Sequence, residues 1–204
     1  MSGLITEYNR RFNEILKPAA DELKTHLDEV FEDDPRVCFR CTRAKKIDRF
    51  MDKANRDIEG EKKYDDPINQ IQDQIGGLLV TRFITEVEEL KSVVEDNFTR
   101  IEKQMHEPES DFEFGYMGAH YILFLPTEVT SRFPDYDGPD FFELQIKTLF
   151  QYAWSETNHA VAYKRFDELN REQRRKTAYI AAQAWGADRG VSELNEDLKR
   201  GQNA

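Results

Sequence analysis

The sequence contains no apolar run near the roughly 20 residues that a membrane-spanning helix needs. Its mean hydropathy of −0.77 is low, and 34% of its residues are charged. The opening segment, MSGLITEYNRRFNEIL, has no apolar core followed by a small-residue cleavage site. These absences predict a cytoplasmic protein with no membrane partner.

Cysteine is nearly absent, since the chain has only Cys38 and Cys41. A C-x-x-C pair needs a second pair of ligands to bind zinc, or a helix N-terminus to act in redox chemistry. The sequence shows neither around this pair. We therefore interpret both cysteines as half-buried residues of a strand.

Excess positive charge is also missing, because 29 basic residues against 40 acidic ones give a net charge of −11. This balance argues against a protein that coats nucleic acid, whose affinity comes from neutralising phosphates. One segment departs from this acidic charge balance. Between residues 40 and 56 only Asp48 and Asp52 are acidic, and a local charge of +5 comes from Arg40, Arg43, Lys45, Lys46, Arg49, Lys53 and Arg56. Such a segment suits a small polyphosphate, although a solvated helix face is the alternative.

Bulky apolar residues are well represented, with 14 Phe, 8 Tyr and 2 Trp. They supply the buried area that disordered chains lack. A length of 204 residues fits one domain with its own core. We predict a single domain over residues 1–204, with a core at about 36–165, an N-terminal helix at 4–31 and C-terminal helices at 166–199.

The pattern of apolar residues alternates between strand and helix periods. Strands are predicted at residues 37–43, 75–80, 112–125 and 141–147. Helices are predicted at 4–31 with a kink at Pro18, at 47–54, from an N-cap at Thr85 to about Arg100, and at 149–199 with breaks near 164–165 and 186–190. Loops are predicted at 57–67 and 103–111. This order predicts the α+β class, with a mixed β-sheet flanked by helices and with helical extensions at both ends.

Two carboxylates stand at strand positions that can carry chemistry. Asp73 comes directly before the strand at 75–80, and Glu143 lies on the polar face of the alternating strand at 141–147. Carboxylates on neighbouring strands can share a Mg²⁺ ion. A turn acid and a cross-strand partner of Lys147 are the alternative interpretations of the two residues.

Four segments carry motifs in a fixed order: TRAKKIDRFMDKA at 42–54, IQDQIG at 71–76, FGYMGAHY at 114–121, and FELQIKT at 142–148 followed by WSETNH at 154–159 and Tyr163-Lys164. They resemble the R-x-K-x-I-x-S-F-x-x-K, D-x-x-G, G-Y-x-S-x-H, E-x-Q-I-R-T and W-x-E-x-x-H-x-x-x-Y-K motifs of the RelA/SpoT synthetase domain, including its small single-domain members. The resemblance implies a nucleotidyltransferase-like fold. It also implies a pyrophosphokinase that moves pyrophosphate from ATP to the ribose 3′-hydroxyl of GDP or GTP, which makes the alarmone (p)ppGpp and AMP.

The resemblance also assigns roles to individual residues. It implies that Asp73 and Glu143 are catalytic and hold Mg²⁺, with Glu143 also a candidate base for the hydroxyl proton. It assigns ATP binding to Arg43, Lys45, Lys53 and Arg49. It assigns the acceptor nucleotide to Tyr116, which would stack on the base, and to His120, Gln145 and Lys147. Trp154, His159 and Tyr163 are interpreted as scaffold.

The chain departs from the family motifs at four positions. Arg49 and Gly118 stand where the family usually has serine, while Leu78 and Lys147 stand where it has arginine. Lysine at position 147 keeps the positive charge but cannot form the paired hydrogen bonds of an arginine guanidinium. These departures predict altered donor binding rather than a different reaction. A catalytically inactive nucleotide-binding module is an alternative.

The acceptor is a separate question, because relatives of this fold modify guanosine nucleotides, adenosine nucleotides or the 3′ end of tRNA. A tRNA substrate requires a further basic surface, and the candidate residues are Arg171, Arg174, Arg175 and Lys176. The net charge favours a free nucleotide. A toxin-like relative that acts on tRNA or adenosine nucleotides, with an antitoxin as partner, is the second hypothesis. Helices 4–31 and 166–199 are the predicted contacts of a homo-oligomer.

Overall fold

The computed structural model describes residues 2–58, 60–106, 118–161 and 169–202. The helices are α1 (Ser2–Arg11), α2 (Lys17–Val30), α3 (Ile47–Ala54), α4 (Pro67–Gln70), α5 (Ile84–Asn97), α6 (Thr127–Thr130), α7 (Leu149–Val161) and α8 (Arg171–Gln202). The strands are β1 (Val37–Ala44), β2 (Asp57–Ile58), β3 (Glu61–Lys62), β4 (Ile75–Thr81), β5 (Arg100–His106), β6 (Gly118–Phe124) and β7 (Phe141–Thr148). No helix among these residues is long and apolar enough to span a membrane.

The central feature is a five-stranded mixed sheet in the order β1-β4-β7-β6-β5. Strands β4 and β7 are parallel, and the other neighbouring pairs are antiparallel. Helix α5 follows β4, and helix α7 follows β7. The predicted α+β fold with a mixed sheet flanked by helices is confirmed.

The two faces of the sheet differ because the side chains of each strand alternate. In β7 the side chains of Phe142, Leu144 and Ile146 are fully buried and belong to the hydrophobic core, together with residues of α2 and α5. Gly77 of β4 lies on the same face, where an added Cβ would come within 3.2 Å of Leu27 in α2. The opposite face carries the polar residues of β7, beginning with Glu143. One face is therefore core, and the other is available for a site.

The N-terminal helical segment is interrupted by a π-helical turn at Phe12–Leu16. Pro18 follows this turn in the first turn of α2. Because proline lacks the N–H that would bond to a carbonyl one turn earlier, a wide turn directly before it is physically reasonable. An irregular helical turn thus lies directly before Pro18, the residue at which a kink was predicted.

Two segments predicted as loops from their polarity contain strands in the structure. Residues 100–106 form the edge strand β5, which pairs with β6, although a loop was predicted at 103–111. Residues 57–58 and 61–62 form a small hairpin where another loop was predicted. An edge strand has one unpaired side and exposed side chains, so it lacks the apolar alternation of a buried strand. Residues 107–117 lie outside the described part.

Two helix limits were also predicted wrongly. Thr85 is inside α5, which begins at Ile84; the Glu86 carboxylate accepts hydrogen bonds from the backbone N–H groups of Arg82 and Phe83 there. Helix α8 runs without a break through residues 186–190. Packing explains its continuity, because α8 contacts α5 and α7 and buries residues within and beyond this glycine-containing stretch.

Candidate active site

The polar face of the sheet is arranged as two transverse rows of side chains. The strand register aligns Arg43, Gly76 and Glu143 in one row. The next row contains Cys41, Leu78, Gln145 and His120. Both rows line a cleft of about 490 Å³, with Asp73 at its edge. The fold therefore brings four strands together under one site.

Asp73 is held by two ammonium groups at the start of β4. Its Oδ2 lies 2.7 Å from Lys45 Nζ, and its Oδ1 lies 3.0 Å from Lys53 Nζ. The backbone N–H of Lys45 donates to the carbonyl of Gln74 at 2.8 Å, which fixes the end of β1 beside Asp73. Lys53 reaches the same carboxylate from the last turn of α3. The basic segment predicted from charge thus converges on one of the two predicted carboxylates.

The N-terminal helix α1 contacts the elements that carry Lys45 and Lys53. The Tyr8 hydroxyl donates to the backbone carbonyl of Lys45 at 2.7 Å. The Tyr8 ring stacks on Phe50 of α3, with centroids 3.6 Å apart and planes within 8° of parallel. Both rings are fully buried. Helix α1 therefore positions Lys45 and α3, a role that the sequence pattern did not indicate.

Glu143 is the second carboxylate of the cleft, and both of its oxygens have partners. Oε1 lies 2.9 Å from His120 Nδ1, and Gln145 Nε2 donates to Oε2 at 2.6 Å. Burial alone would raise the pKa of Glu143, but the hydrogen bonds and charge of His120, the hydrogen bond of Gln145 and the charge of Lys53 lower it to about 2. Glu143 is therefore ionised at neutral pH.

Lys147 is a buried cation at the far end of β7, with 6% of its surface exposed. Its Nζ donates to Ser155 Oγ of α7 at 3.2 Å. Burial and the nearby guanidinium of Arg43 together lower the pKa of Lys147 to about 8, against the opposing charges of Glu156 and Glu143. Lys147 thus loses its charge at a lower pH than an exposed lysine does.

Helix α7 forms the wall of the cleft, which sequence reasoning missed. Its lining residues are Tyr152, Ser155, Glu156, Asn158 and His159. Most of them recur at spacings of three or four residues, so they share one helix face. This spacing was visible in the sequence, but His159 was interpreted as scaffold. Partial burial and the charge of Arg49 lower the pKa of His159.

The family comparison agrees with this geometry. Residues 42–168 match the model for the region found in RelA / SpoT proteins, which is more than half of the chain. The chain belongs to the RelA/SpoT family. The cleft residues described above fall within the matched segment, except for Cys41, which directly precedes it. Tyr8, which contacts Lys45 and Phe50 from α1, also lies outside the matched segment.

Individual relatives share the fold over nearly the whole chain. The GTP pyrophosphokinase YjbM of Bacillus subtilis is 23% identical over 205 residues, covering 95% of this chain and 92% of that protein. The structure of small alarmone synthetase 1 from Bacillus subtilis matches with a TM-score of 0.76 and 20% identity, over 94% of this chain and 99% of that chain. The structure of that synthetase bound to its product pppGpp matches with a TM-score of 0.73 and 20% identity, over 93% of this chain and 98% of that chain. The structure bound to AMPCPP matches with a TM-score of 0.70 and 18% identity, over 94% of this chain and 99% of that chain.

Most of the RelA/SpoT site residues predicted from the sequence lie at the cleft. Its lining includes Arg43, Asp73, His120, Glu143, Gln145 and Lys147. Lys45 and Lys53 reach it through Asp73. Arg49 does not line the cleft in the described part of the chain, but its charge acts on His159. Tyr116 falls outside the described residues, so its predicted stacking role stays a prediction.

Two further sequence predictions concern the surface. The basic residues proposed for tRNA, at 171–176, are exposed at the start of α8, and Lys176 pairs there with Glu172 at 2.8 Å. They do not line the cleft. Cys38 is half-buried as predicted, whereas Cys41 is exposed because it faces the cleft rather than the core.

Proposed function

We propose that this RelA/SpoT protein transfers pyrophosphate from ATP to the ribose 3′-hydroxyl of GDP or GTP, which yields (p)ppGpp and AMP. The observation that carries the proposal is the convergence of Asp73 and Glu143 with Arg43, Lys45 and Lys53 on one cleft. Two carboxylates suit a divalent cation, and three cations suit a triphosphate. Catalysis of phosphoryl transfer consists mainly of positioning and charge stabilisation, which this set can supply.

The nucleotides bound by a relative support the choice of substrates. The small alarmone synthetase 1 of Bacillus subtilis has structures with its product pppGpp and with AMPCPP, an analogue of ATP. A guanosine product and an adenosine donor analogue fit the direction of transfer proposed for this chain. The cleft of about 490 Å³ is partly open, and sites of a few hundred cubic ångströms are typical for small ligands.

The donor phosphates are proposed to lie at the end of the cleft where β1 meets β4. Arg43 lies over Gly76, with its Cγ 3.8 Å from the position of a Cβ added to that glycine. The absence of a side chain at Gly76 leaves room beside Glu143 for a phosphate group. Lys45 and Lys53 would exchange their contacts with Asp73 for contacts with phosphate oxygens.

Asp73 and Glu143 are proposed as a shared pair of Mg²⁺ ligands, because both line the cleft. Among the residues that the structure describes, no group of three His, Cys, Asp or Glu side chains can hold a metal by itself. Mg²⁺ commonly takes one or two carboxylates together with substrate phosphates and waters, so two carboxylates are sufficient. When bound, the ion would neutralise charge on the β- and γ-phosphates. The low pKa of Glu143 favours this ligand role, since an ionised carboxylate is ready to bind.

The proposed transfer is one in-line displacement. The acceptor 3′-oxygen bonds to the β-phosphorus of ATP, the bond from that phosphorus to the bridging oxygen of the α-phosphate breaks, and AMP leaves. The hydroxyl proton passes to the Glu143 carboxylate, whose Oε1 lies 2.9 Å from His120 Nδ1. His120 thus orients the carboxylate, and Gln145 fixes the other oxygen.

Transfer from ATP labelled at the γ-phosphate tests the proposal. The protein is incubated with Mg²⁺ and, in turn, GDP, GTP, ADP and tRNA, and the labelled products are separated. We expect labelled (p)ppGpp with GDP and GTP. Glu143→Gln, which keeps the shape but not the charge, should lower kcat at least about 100-fold, in line with the loss of one main electrostatic group. Glu193→Gln, on the exposed surface of α8, is the matched control and should match wild type.

The other outcomes have distinct meanings. Transfer to tRNA or ADP but not to guanosine nucleotides would replace the proposed acceptor with that of the toxin-like hypothesis. ATP binding without transfer to any acceptor would favour the inactive nucleotide-binding module. Equal activity of wild type and Glu143→Gln would contradict the assignment of Glu143 to the active site.

A further inference from the structure

The C-terminal helix α8 carries two buried polar side chains that the proposed reaction does not use. Asp188 is 3% exposed and Ser192 is 6% exposed. They lie four residues apart in α8, which places them on one face of the helix. Both lie beyond residues 42–168, the segment that matches the family. Because a buried polar group is costly unless it is hydrogen-bonded, the partners of these two residues indicate what α8 holds in place.

Asp188 contacts the junction between β7 and α7. Its Oδ2 accepts a hydrogen bond from the hydroxyl of Thr148, the last residue of β7, at 2.9 Å, and the Gln151 side chain also hydrogen-bonds to it. The Gln151 N–H donates to Thr148 Oγ1 at 3.1 Å, and the Thr148 N–H donates to Gln151 Oε1 at 3.2 Å. These reciprocal bonds form a capping box at the start of α7. Asp188 therefore holds both side chains of the box from a different helix.

Ser192 makes a comparable contact with helix α5. Its Oγ accepts a hydrogen bond from the backbone N–H of Ile84, the first residue of α5, at 3.0 Å. The first N–H groups of a helix have no partner within that helix, so a side chain of another element can satisfy them. Strand β4 ends at Thr81, which pairs with Thr148 of β7. Helix α8 therefore bonds to the elements that follow both parallel strands, at the carboxyl ends of those strands.

We propose that Asp188 is a positioning residue for the active site, because it fixes α7 against β7 and thereby fixes the wall of the cleft. This inference rests on the proposed function. Helix α7 supplies the wall, and its Ser155 accepts a hydrogen bond from the Nζ of Lys147, the residue directly before Thr148. A shift at the junction would move both Lys147 and the wall. Ser192 gives α8 a second attachment, to α5, which keeps Asp188 in place.

The junction lies at the other end of the parallel strands from the two catalytic carboxylates. Glu143 precedes Thr148 by five residues, which is about 16 Å along β7. Asp73 precedes the start of β4. Loss of the Asp188 contact should therefore weaken binding of the acceptor, to which Lys147 is assigned. It should leave ATP binding and the rate of the bound complex nearly unchanged.

Steady-state kinetics separate this role from a purely structural one. The KM values for GDP and ATP and the kcat are measured for wild type, Asp188→Ala, Asp188→Asn and Thr148→Val. We expect Asp188→Ala and Thr148→Val each to raise the KM for GDP about tenfold, with kcat and the KM for ATP within about twofold of wild type. Asp188→Asn should keep the wild-type KM for GDP, because its amide oxygen still accepts the bond from Thr148. The double variant Asp188→Ala/Thr148→Val should match either single variant, since both changes remove the same contact.

Hydrogen exchange of backbone amides tests the contact without any turnover. The amides of Thr148 and Gln151 should exchange faster in Asp188→Ala than in wild type, and the amide of Ile84 should exchange faster in Ser192→Ala. Val94→Ala, at a fully buried residue of α5, is the control for lost stability. It should leave the KM for GDP unchanged.

Three results would overturn the inference while the proposed function stands. They are unchanged exchange of the Gln151 amide in Asp188→Ala, a KM for GDP in Asp188→Ala equal to that of wild type, and an equal rise of this KM in Val94→Ala. If wild type transfers no pyrophosphate to any acceptor, the proposed function fails and the positioning role fails with it, whatever the exchange rates are.

Discussion

Asp73 is expected to bind a divalent cation poorly until a nucleotide is present. In the structure its two oxygens contact Lys45 and Lys53, at 2.7 and 3.0 Å. A cation that approaches the carboxylate must displace or adjoin these ammonium groups. A triphosphate removes the conflict, because its oxygens take over the two lysines. The substitution Lys53→Gln should therefore strengthen cation binding in the absence of nucleotide.

The size of this effect follows from the charges. Two unit charges 4 Å apart interact by about 4 kcal/mol at an effective dielectric constant near 20. The lysine side chains are between 15 and 24% exposed, so solvent screens them only in part. Because a lysine can swing away, the net effect of one ammonium should be smaller, about 1–2 kcal/mol. We expect Lys53→Gln to raise the affinity for Mn²⁺ alone roughly 5- to 30-fold.

Electron paramagnetic resonance of free Mn²⁺ measures this affinity without any turnover. Mn²⁺ prefers the same oxygen ligands as Mg²⁺. With AMPCPP present, Lys53→Gln should instead lower the affinity for Mn²⁺, since the variant loses a contact with the phosphates. Lys91→Gln is the matched control, because Lys91 pairs with Glu88 on the surface of α5, outside the cleft. Wild type and Lys53→Gln with equal Mn²⁺ affinity in the absence of nucleotide would refute the reasoning.

Three further predictions concern stability and support of the site, each measured by urea unfolding. Gly77→Ala should cost about 1–3 kcal/mol, because its Cβ would lie 3.0 Å from Leu144 Cδ1. Gly76→Ala, whose nearest atom would be 3.8 Å away, is its control and should leave stability unchanged. Burial raises the pKa of Asp188 to about 6, so its folded form favours the proton. Wild type should therefore lose up to about 3 kcal/mol as the pH rises from about 4 through 6, and Asp188→Asn should remove this dependence; an identical pH profile in both would contradict the assignment. Tyr8→Phe removes the donor to the carbonyl of Lys45 and should cost about 1 kcal/mol and weaken ATP binding; unchanged ATP affinity would show that this contact does not position Lys45.

The sequence was most informative where periodicity and core packing agree. The alternation of Phe142, Leu144 and Ile146 predicted β7 and its polar face, and the helix predicted at 47–54 has those limits in the structure. Edge strand β5 was missed because most of its residues are polar and one side is unpaired. The continuity of α8 was missed because glycine is disfavoured in helices locally, whereas packing on other helices is a tertiary effect.

The sequence predicted the site residues that belong to motifs, but it did not predict those that reach the site only through the tertiary fold. Asp73 and Glu143 were identified from strand position and from the family resemblance. The pairing of Asp73 with two lysines depends on how β1, α3 and β4 meet, which no local pattern shows. Tyr152 was missed because an aromatic residue on a helix normally indicates core packing. Tyr8 acts on the site through a contact 37 residues away in the chain.

The central claim is that the group transferred is a pyrophosphate, and ³¹P NMR of the reaction products tests it most directly. ATP, GDP and Mg²⁺ are incubated with the protein, and the phosphorus resonances are followed. The account predicts equal amounts of AMP and of a guanosine nucleotide with a new 3′-diphosphate, both formed at least about 100-fold more slowly with Glu143→Gln. The appearance of ADP with a singly phosphorylated acceptor, or with free phosphate, would contradict it.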